Sequence, residues 1–362
     1  QVTVKVCLRY ARGHEFFTPS HFTAHSTLMT RNSSTSNRLI LAPMEGVMNS
    51  LMRDLITGIG GYDRCVTQVV RVSQTVLPTR VFYRLCPELH NRGLTPSGTP
   101  VFIQLLGSDP DLMAKNAAVA ARLGAPGIDL NFGCPAKTVN KSQGGASLLK
   151  NPRLIYDVCA AVRAAVPTDI PVTAKIRLGF EDDQAFESVV WEIVRAGVTE
   201  LTVHARTRRQ GYKPPAHWHR LANVSQHIDI PLIANGEMWS PSDVRRCASI
   251  SGCHDFMLAR GALCRPDLGL ATRALLDNRY YESMNWPQVT PLLSVFLNRN
   301  AACYDARYAI NPLKQWLVYL SYYFPQAAAL FAQVKRIKTV DEMNAALRMD
   351  AHKSYSAQPS AA

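Results

Sequence analysis

Gly127-Ile128-Asp129-Leu130-Asn131-Phe132-Gly133-Cys134-Pro135 is the stretch whose reading decides the fold, and Lys137 and the pair Gly144-Gly145 follow it. Apolar and polar residues alternate up to Asn131, the period of a strand, and a Gly-Cys-Pro turn then ends the pattern. Cys134 therefore falls on a loop at the carboxyl end of a strand, where a thiol can meet a ligand. The alternative is one more buried cysteine, the commoner state of a free thiol. The turn, and the polar Asn131 three residues before it, favour the loop.

Working outward, the same unit repeats. Apolar runs that end in polar or Gly/Pro residues predict strands over Leu39–Ala42, Arg64–Val70, Val101–Leu105, Gly127–Leu130, Val172–Ile176, Glu200–His204, Pro231–Ala234 and Asp255–Leu258. Between them, helices are expected over Ser50–Thr57, Pro110–Leu123, Pro152–Val166, Gln184–Ala196 and Pro241–Ser249. Pro152 and Pro241 suit a first helical turn, where a missing N–H costs nothing, and Asp109 and Ser240 read as caps. Eight strands alternating with helices predict an α/β fold, a closed parallel (β/α)8 TIM barrel. No G-x-G-x-x-G follows the first strand, which disfavours a dinucleotide-binding open sheet.

After about residue 280 the strands stop, and helices are expected over Trp286–Asn298, Pro312–Phe324, Gln326–Lys335 and Val340–Arg348. Leu313, Trp316, Leu317, Leu320 and Phe324 form one apolar stripe. Lys314, Lys335, Arg336 and Lys338 fall outside it, so a small helical domain with a basic solvent face is expected. The organisation read from the sequence is a basic, disordered or transit-like leader over 1–38, the barrel over 39–280, the helical domain over 281–350 and a tail over 351–362.

Forty lysines and arginines against 27 acids leave a formal charge of +13 and a pI near 9.5. That balance suits a polyanionic partner, nucleic acid above all, and by itself suits equally a basic surface that serves solubility. The nine cysteines form no C-x-x-C pair and no zinc-like spacing, so no metal is expected. An odd, unpatterned set suits a reducing, cytoplasmic compartment. Charged residues interrupt every long apolar run, so no membrane span is expected.

In such a barrel the chemistry lies at the carboxyl ends of the strands, with a phosphate commonly bound after the last two. The strand ends here are unusually polar: Pro43-Met44-Glu45-Gly46, Gln104, Asn131 and Cys134, Lys175 and Arg177, His204 and Arg206, Asn235-Gly236-Glu237, and Ala259-Arg260-Gly261. Buried amides and charges are costly unless paired, so their convergence points to a site. Asn235-Gly236-Glu237 and Arg260-Gly261 suit a phosphate. With Lys175 as a fixed cation and His204 as a donor, the layout suits flavin mononucleotide (FMN), the cation stabilising the reduced ring. A Schiff-base lysine at Lys175 is the competing reading.

At these residues the chain resembles the tRNA-dihydrouridine synthases, most closely the bacterial class C enzymes that act on uridine 16. The segments that carry the resemblance are Leu41–Val47, Asp129–Pro135, Gly144–Lys150, His204–Thr207, Asn235–Glu237 and Arg260-Gly261, in family order across residues 38–350. The resemblance implies that Cys134 is the proton donor and Asn131 its partner at the uracil. It implies flavin contacts from Pro43, Met44, Glu45, Gln104, Lys175, His204, Asn235, Gly236, Glu237, Ala259 and Arg260. Contacts to tRNA are implied for Arg71, Arg177, Tyr212, Lys314, Tyr319 and Lys335. The chain departs from the family at Ala259, where glycine is usual, and at Pro312 and Lys335, where class C has arginine. A proline has no charge for a phosphate, and lysine lacks the bidentate fork.

Reducing the C5–C6 bond of uracil needs a hydride at C6 and a proton at C5. A cysteine, with an ordinary pKa of about 8.5, is protonated at working pH yet able to give its proton up. The uridine must leave the folded tRNA to reach the mouth, and the basic helical domain is expected to select it by gripping phosphates. The resemblance implies NADPH, or NADH, as electron source, and a monomer is expected. The rivals are a flavin barrel acting on a free pyrimidine, which leaves the basic domain idle, and a non-catalytic RNA-binding barrel, which does not need Cys134 and Lys175 together.

Overall fold

The structure, a computed structural model, describes residues 37–141 and 143–356. The leader, Cys7 within it, lies outside these residues but for its last two positions, as do the last six residues of the tail. The strands are β1 (Leu39–Leu41), β2 (Arg64–Val66), β3 (Val70–Arg71), β4 (Val101–Leu106), β5 (Ile128–Asn131), β6 (Val172–Arg177), β7 (Glu200–His204), β8 (Leu232–Asn235) and β9 (Asp255–Leu258). All pair in parallel, and β2 meets both β1 and β4, so the sheet closes on itself. β3 is no extra stave. It pairs Val70 with Leu105 and Arg71 with Leu106, further along the β4 edge that β2 has already used at Val101 and Phe102.

The barrel thus has the eight staves expected, with the second one broken. The single strand predicted over Arg64–Val70 is interrupted at Thr67–Val69. There the Thr67 hydroxyl takes the Gln104 N–H at 3.0 Å, and the Gln68 amide turns to the Met44 carbonyl at 3.4 Å. The Thr67 N–H still reaches the Phe102 carbonyl at 2.9 Å, but the return bond goes to a side chain, and the strand line breaks.

Period two sorts each strand into two faces. The outward residues, such as Leu39, Leu41, Ile103, Leu105, Ile128, Leu130, Val172 and Ala174, join the main core with the helices. The inward residues fall into layers. Arg38, Arg64, Glu200 and Asp255 sit where strands begin. Ile40, Val66, Phe102, Ile233 and Met257 form an apolar cluster above them. Gln104, Asn131, Lys175, His204 and Asn235 lie towards the carboxyl ends. Gly127 is required by this packing, since a Cβ there would lie 2.4 Å from the Phe102 ring.

The helix starts follow the local signals. Asp109 accepts the Leu112 N–H at 2.8 Å, and Ser240 and Asp243 form a capping box ahead of the helix Pro241–Ser251. Short helices absent from the sequence reading include Thr79–Leu85, Arg260–Cys264 and Leu268–Leu276.

The C-terminal region contains the helices Trp286–Cys303, Ala306–Ala309, Asn311–Leu320, Pro325–Val334 and Val340–Ser356. Leu313, Trp316, Leu317 and Leu320 are fully buried, as their stripe predicts. The Trp316 indole donates to the Leu263 carbonyl at 3.0 Å, tying this region to the short helix after β9. Lys335, Arg336 and Lys338 are exposed. Lys314 behaves differently: its ammonium donates to the Lys335 and Ile337 carbonyls at 3.1 and 2.6 Å. It caps the end of the helix Pro325–Val334, a usual task for lysine there. No helix among the described residues is long and apolar enough to cross a membrane.

Candidate active site at the barrel mouth

The turn after β5 is built by its own polar groups. The Asn131 side-chain oxygen accepts the Gly133 N–H at 2.9 Å, and Arg177 Nε donates to the Gly133 carbonyl at 2.9 Å. The Cys134 carbonyl accepts from the Ala146 N–H at 3.1 Å and from the Asn140 amide at 3.2 Å. Gly145, with φ +59°, closes against this turn; a Cβ there would stand 3.0 Å from that of Cys134. The glycine pair noted beside the Gly-Cys-Pro stretch thus brings the following loop onto the cysteine. Cys134 is half-buried at the mouth, whereas Cys65, Cys86, Cys159, Cys247, Cys253 and Cys264 are buried.

The strand register sets the polar groups side by side. Asn131 neighbours Lys175, Arg177 neighbours His204, and His204 neighbours Asn235. Lys175 donates to the Asn235 side-chain oxygen at 3.0 Å, and the Asn235 amide donates to the Met257 carbonyl at 2.7 Å. Burial, with Arg177 nearby and against the pull of Asp129, brings the Lys175 ammonium down to about 8. Burial also drives His204 well below the ordinary histidine range, and Arg177, Lys175, Arg206 and Arg260 add to it. The imidazole is therefore neutral near pH 7. Arg206 is paired with Glu237, and the Trp218 indole fixes Gly236 through its carbonyl at 2.9 Å. Gly236 has φ +116°, and a Cβ there would strike His204 at 2.7 Å. Four cations thus surround one neutral histidine, with the Glu237 carboxylate among them.

Arg260 lies between two rings, 4.8 Å from the centre of Tyr212 and 4.9 Å from that of Trp239. Trp239 in turn stacks on Tyr322 at 6.4 Å. These residues, with Arg206, Glu237 and Tyr319, line a cavity of ≈ 230 Å³. It is smaller than the roughly 300–1,000 Å³ of whole-ligand pockets, and neither Cys134 nor Lys175 lines it. Its size and basic wall suit one end of a nucleotide.

Of the residues singled out from sequence, Gln104, Asn131, Cys134, Lys175, Arg177, His204, Asn235, Gly236, Glu237 and Arg260 are gathered at this mouth. Pro43 and Met44 are half-buried on the loop after β1, and Glu45 Oε2 accepts the Val69 N–H at 3.4 Å. Ala259 packs against the inner apolar cluster. Arg177 is only 2% exposed. Its guanidinium donates to the Gly133, Thr207 and Gly211 carbonyls and lies 5.2 Å from the Tyr212 ring, so it braces three loops. Tyr212 is 54% exposed, and Arg71 is exposed at the end of β3. Lys314 lies on the helix Asn311–Leu320 and Lys335 on the turn after Pro325–Val334, whose carbonyl takes the Lys314 ammonium.

Sequence reasoning missed Thr67, Thr173, Trp239 and Tyr322. An inward polar position on a strand could have drawn notice to Thr173. Nothing local marks Trp239 and Tyr322, which meet across 83 residues.

A family model described as dihydrouridine synthase matches residues 40–356. A protein from Pseudomonas putida named tRNA-dihydrouridine(16) synthase is 48% identical over 299 residues, covering 83% of this chain and 93% of its own. One of the same name from Aquipseudomonas alcaligenes is 47% identical over 312 residues, covering 86% and 99%. Among solved structures, histamine dehydrogenase from Rhizobium sp. 4-9 superposes with a TM-score of 0.51 at 13% identity, over 75% of this chain and 50% of its own, a likeness of fold. With the family model spanning barrel and C-terminal helices alike, this chain belongs to the dihydrouridine synthase family.

Proposed function

We propose that this protein reduces the C5–C6 bond of uridine 16 in tRNA, with FMN as its resident cofactor and NADPH as electron source. The observation that carries the reading is the company of Cys134: a half-buried thiol on the same ring of strand ends as an unbalanced cluster of cations. The names of the relatives supply the nucleic acid and the position.

The residues present fit a flavin nucleotide. Arg260, Arg206 and the glycine-opened turn at Gly236 offer a phosphate charge and clearance. Lys175, Gln104, Asn235 and His204, with Pro43, Met44, Glu45 and Ala259, would hold the remainder. Bound and reduced, FMN supplies the hydride. Lys175 would supply a cation to the reduced cofactor, and an anionic neighbour would favour that charge. Asn131, anchored through Gly133, aligns the base. Cys134 holds a proton at Sγ and delivers it to C5; NADPH would be the source of the electrons.

The exposed Lys335, Arg336 and Lys338, on the turn between the helices Pro325–Val334 and Val340–Ser356, with Arg71, Tyr212 and Tyr319, would grip the tRNA and choose the uridine. Lys314 supports that surface by capping rather than by touching RNA. The compartment in which this happens is proposed to be the cytoplasm.

Mapping dihydrouridine in tRNA from cells with and without the gene tests both activity and site. Loss confined to position 16 is the expected result; an unchanged map rejects the reading. Cys134→Ala should keep tRNA binding and lose turnover by orders of magnitude, read by dihydrouridine formed per enzyme. Normal turnover by that variant would remove the thiol from the mechanism.

A further inference from the structure

Asp129 has no part in the roles above, yet it lies inside the barrel just beneath them, 1% exposed. One carboxylate oxygen accepts from the Thr173 hydroxyl at 2.6 Å and the other from Gln104 Nε2 at 2.7 Å. Gln104 Oε1 accepts from Asn131 Nδ2 at 2.7 Å, and Asn131 Oδ1 accepts the Gly133 N–H at 2.9 Å. The direction of this chain is decided at its first member. An ionised carboxylate can only accept, whereas an amide can face either way. Gln104 must therefore offer its NH2 to Asp129 and its oxygen to Asn131. Asn131 must then offer its NH2 to Gln104 and its oxygen to the turn that carries Cys134. Reversing Gln104 would set its oxygen against the carboxylate and its NH2 against that of Asn131, and reversing Asn131 would set a donor against the Gly133 N–H.

We propose that Asp129 is a positioning residue, whose carboxylate sets the direction of the Gln104 and Asn131 amides and through them holds the Gly133–Cys134 turn. This rests on the reading of Cys134 above only in naming the group that is positioned. A buried acid is a costly filler. Burial pushes the Asp129 carboxyl up, against donation from Gln104 and Thr173 and the charges of Arg64 and Lys175. An apolar side chain of the same size would occupy the space without that cost.

The test uses the full chain free of flavin. Alkylation of Cys134 by iodoacetamide is followed peptide by peptide in a mass spectrometer, beside thermal melting. Asp129→Leu removes the acceptor and keeps the bulk. Gln104→Glu sets two acceptors face to face. Gln104→Glu combined with Asp129→Asn moves the carboxylate one step along. The new amide then donates to the new carboxylate, which also accepts from Asn131, and the bond to Gly133 is kept.

Each single variant should shift the alkylation rate by about fivefold or more, the net worth of one hydrogen bond. The double variant should return to within about twofold of the parent. Wild-type rates in Asp129→Leu and Gln104→Glu, with only the melting temperature lowered, would make Asp129 a stability element and overturn the proposal. So would a double variant as far displaced as Gln104→Glu alone, a comparison that stands even if Asp129→Leu does not fold. Normal dihydrouridine formation by Cys134→Ala would instead remove the thiol from the mechanism, and an unchanged dihydrouridine map would reject the functional reading; both leave the relay standing.

Discussion

The two ends of this barrel handle charge in opposite ways. At the bottom, Arg38 bonds Glu200 and Asp255, each at 2.6 Å, Arg64 bonds Glu200 at 2.7 Å, and Arg273 bonds Asp63. Burial pushes Glu200 up, but Arg64 and Arg38 outweigh it and hold the carboxyl below its usual range. At the mouth, Lys175, Arg177, Arg206 and Arg260 crowd a neutral His204, and burial with their mutual repulsion depresses His204 and Lys175 alike. Charges that answer one another build the fold. Charges of one sign held together behind low-dielectric walls are costly until a ligand of opposite sign arrives. The mouth is therefore proposed as the site because of what it leaves unbalanced, and the bottom is scaffold because it leaves little.

The contrast can be broken most directly at Glu200. Removing one partner of a buried ion pair strands the others, so Glu200→Gln should cost about 3–5 kcal/mol in urea or thermal unfolding. A loss below about 1 kcal/mol would mean that the bottom layer behaves as a surface pair does. The acid side carries the same information. The folded carboxyl lies below its unfolded value of about 4.3, so its contribution is complete above that pH and fades as pH falls through the folded value. Glu200→Gln should flatten that acid limb.

At the mouth the sign reverses. Lys175→Met should weaken flavin retention by about tenfold to a hundredfold, the worth of a charge-assisted bond. The flavin-free protein should melt no lower than its parent. With Lys175 at about 8 when folded and about 10.4 when unfolded, the unfolded chain binds more protons between those values. Stability of the flavin-free protein should therefore rise with pH across that window, and Lys175→Met should remove the rise. Flavin affinity should fall over the same window as the cation is lost. A variant that melts well below the parent would make Lys175 scaffold as well.

The smallest effects separate two lysines of the C-terminal region. Lys314→Ala should lower stability by about 1 kcal/mol, since it leaves two carbonyls without their donor. Lys335→Ala should leave melting unchanged and reduce the salt dependence of tRNA binding by about one phosphate contact. Equal behaviour of the two would erase the distinction between brace and grip.

Much of this molecule was readable before folding was considered. The strand ends at residues 204 and 258 and the caps at Asp109 and Ser240 rest on neighbours within four positions, where alternation and hydrogen-bonding side chains act directly. Cys134 could be placed at a mouth for the same reason, since the turn that exposes it is made by adjacent residues. The break in the second stave was hidden, because it depends on Thr67 meeting Gln104 on another strand.

The sequence by itself therefore determined the alternation of strand and helix, the apolar stripe of the C-terminal helices, the basic balance and the polar residues at the strand ends. Only the tertiary structure decided which of those residues face solvent and which brace the loops. It turned Arg177 onto three carbonyls, Lys314 onto a helix end, Arg260 between two rings, and Asp129 to the foot of an amide relay. The reason is physical: periodicity and capping are short-range, whereas a side chain's partner across dozens of residues is chosen by closure of the barrel, which no local pattern encodes.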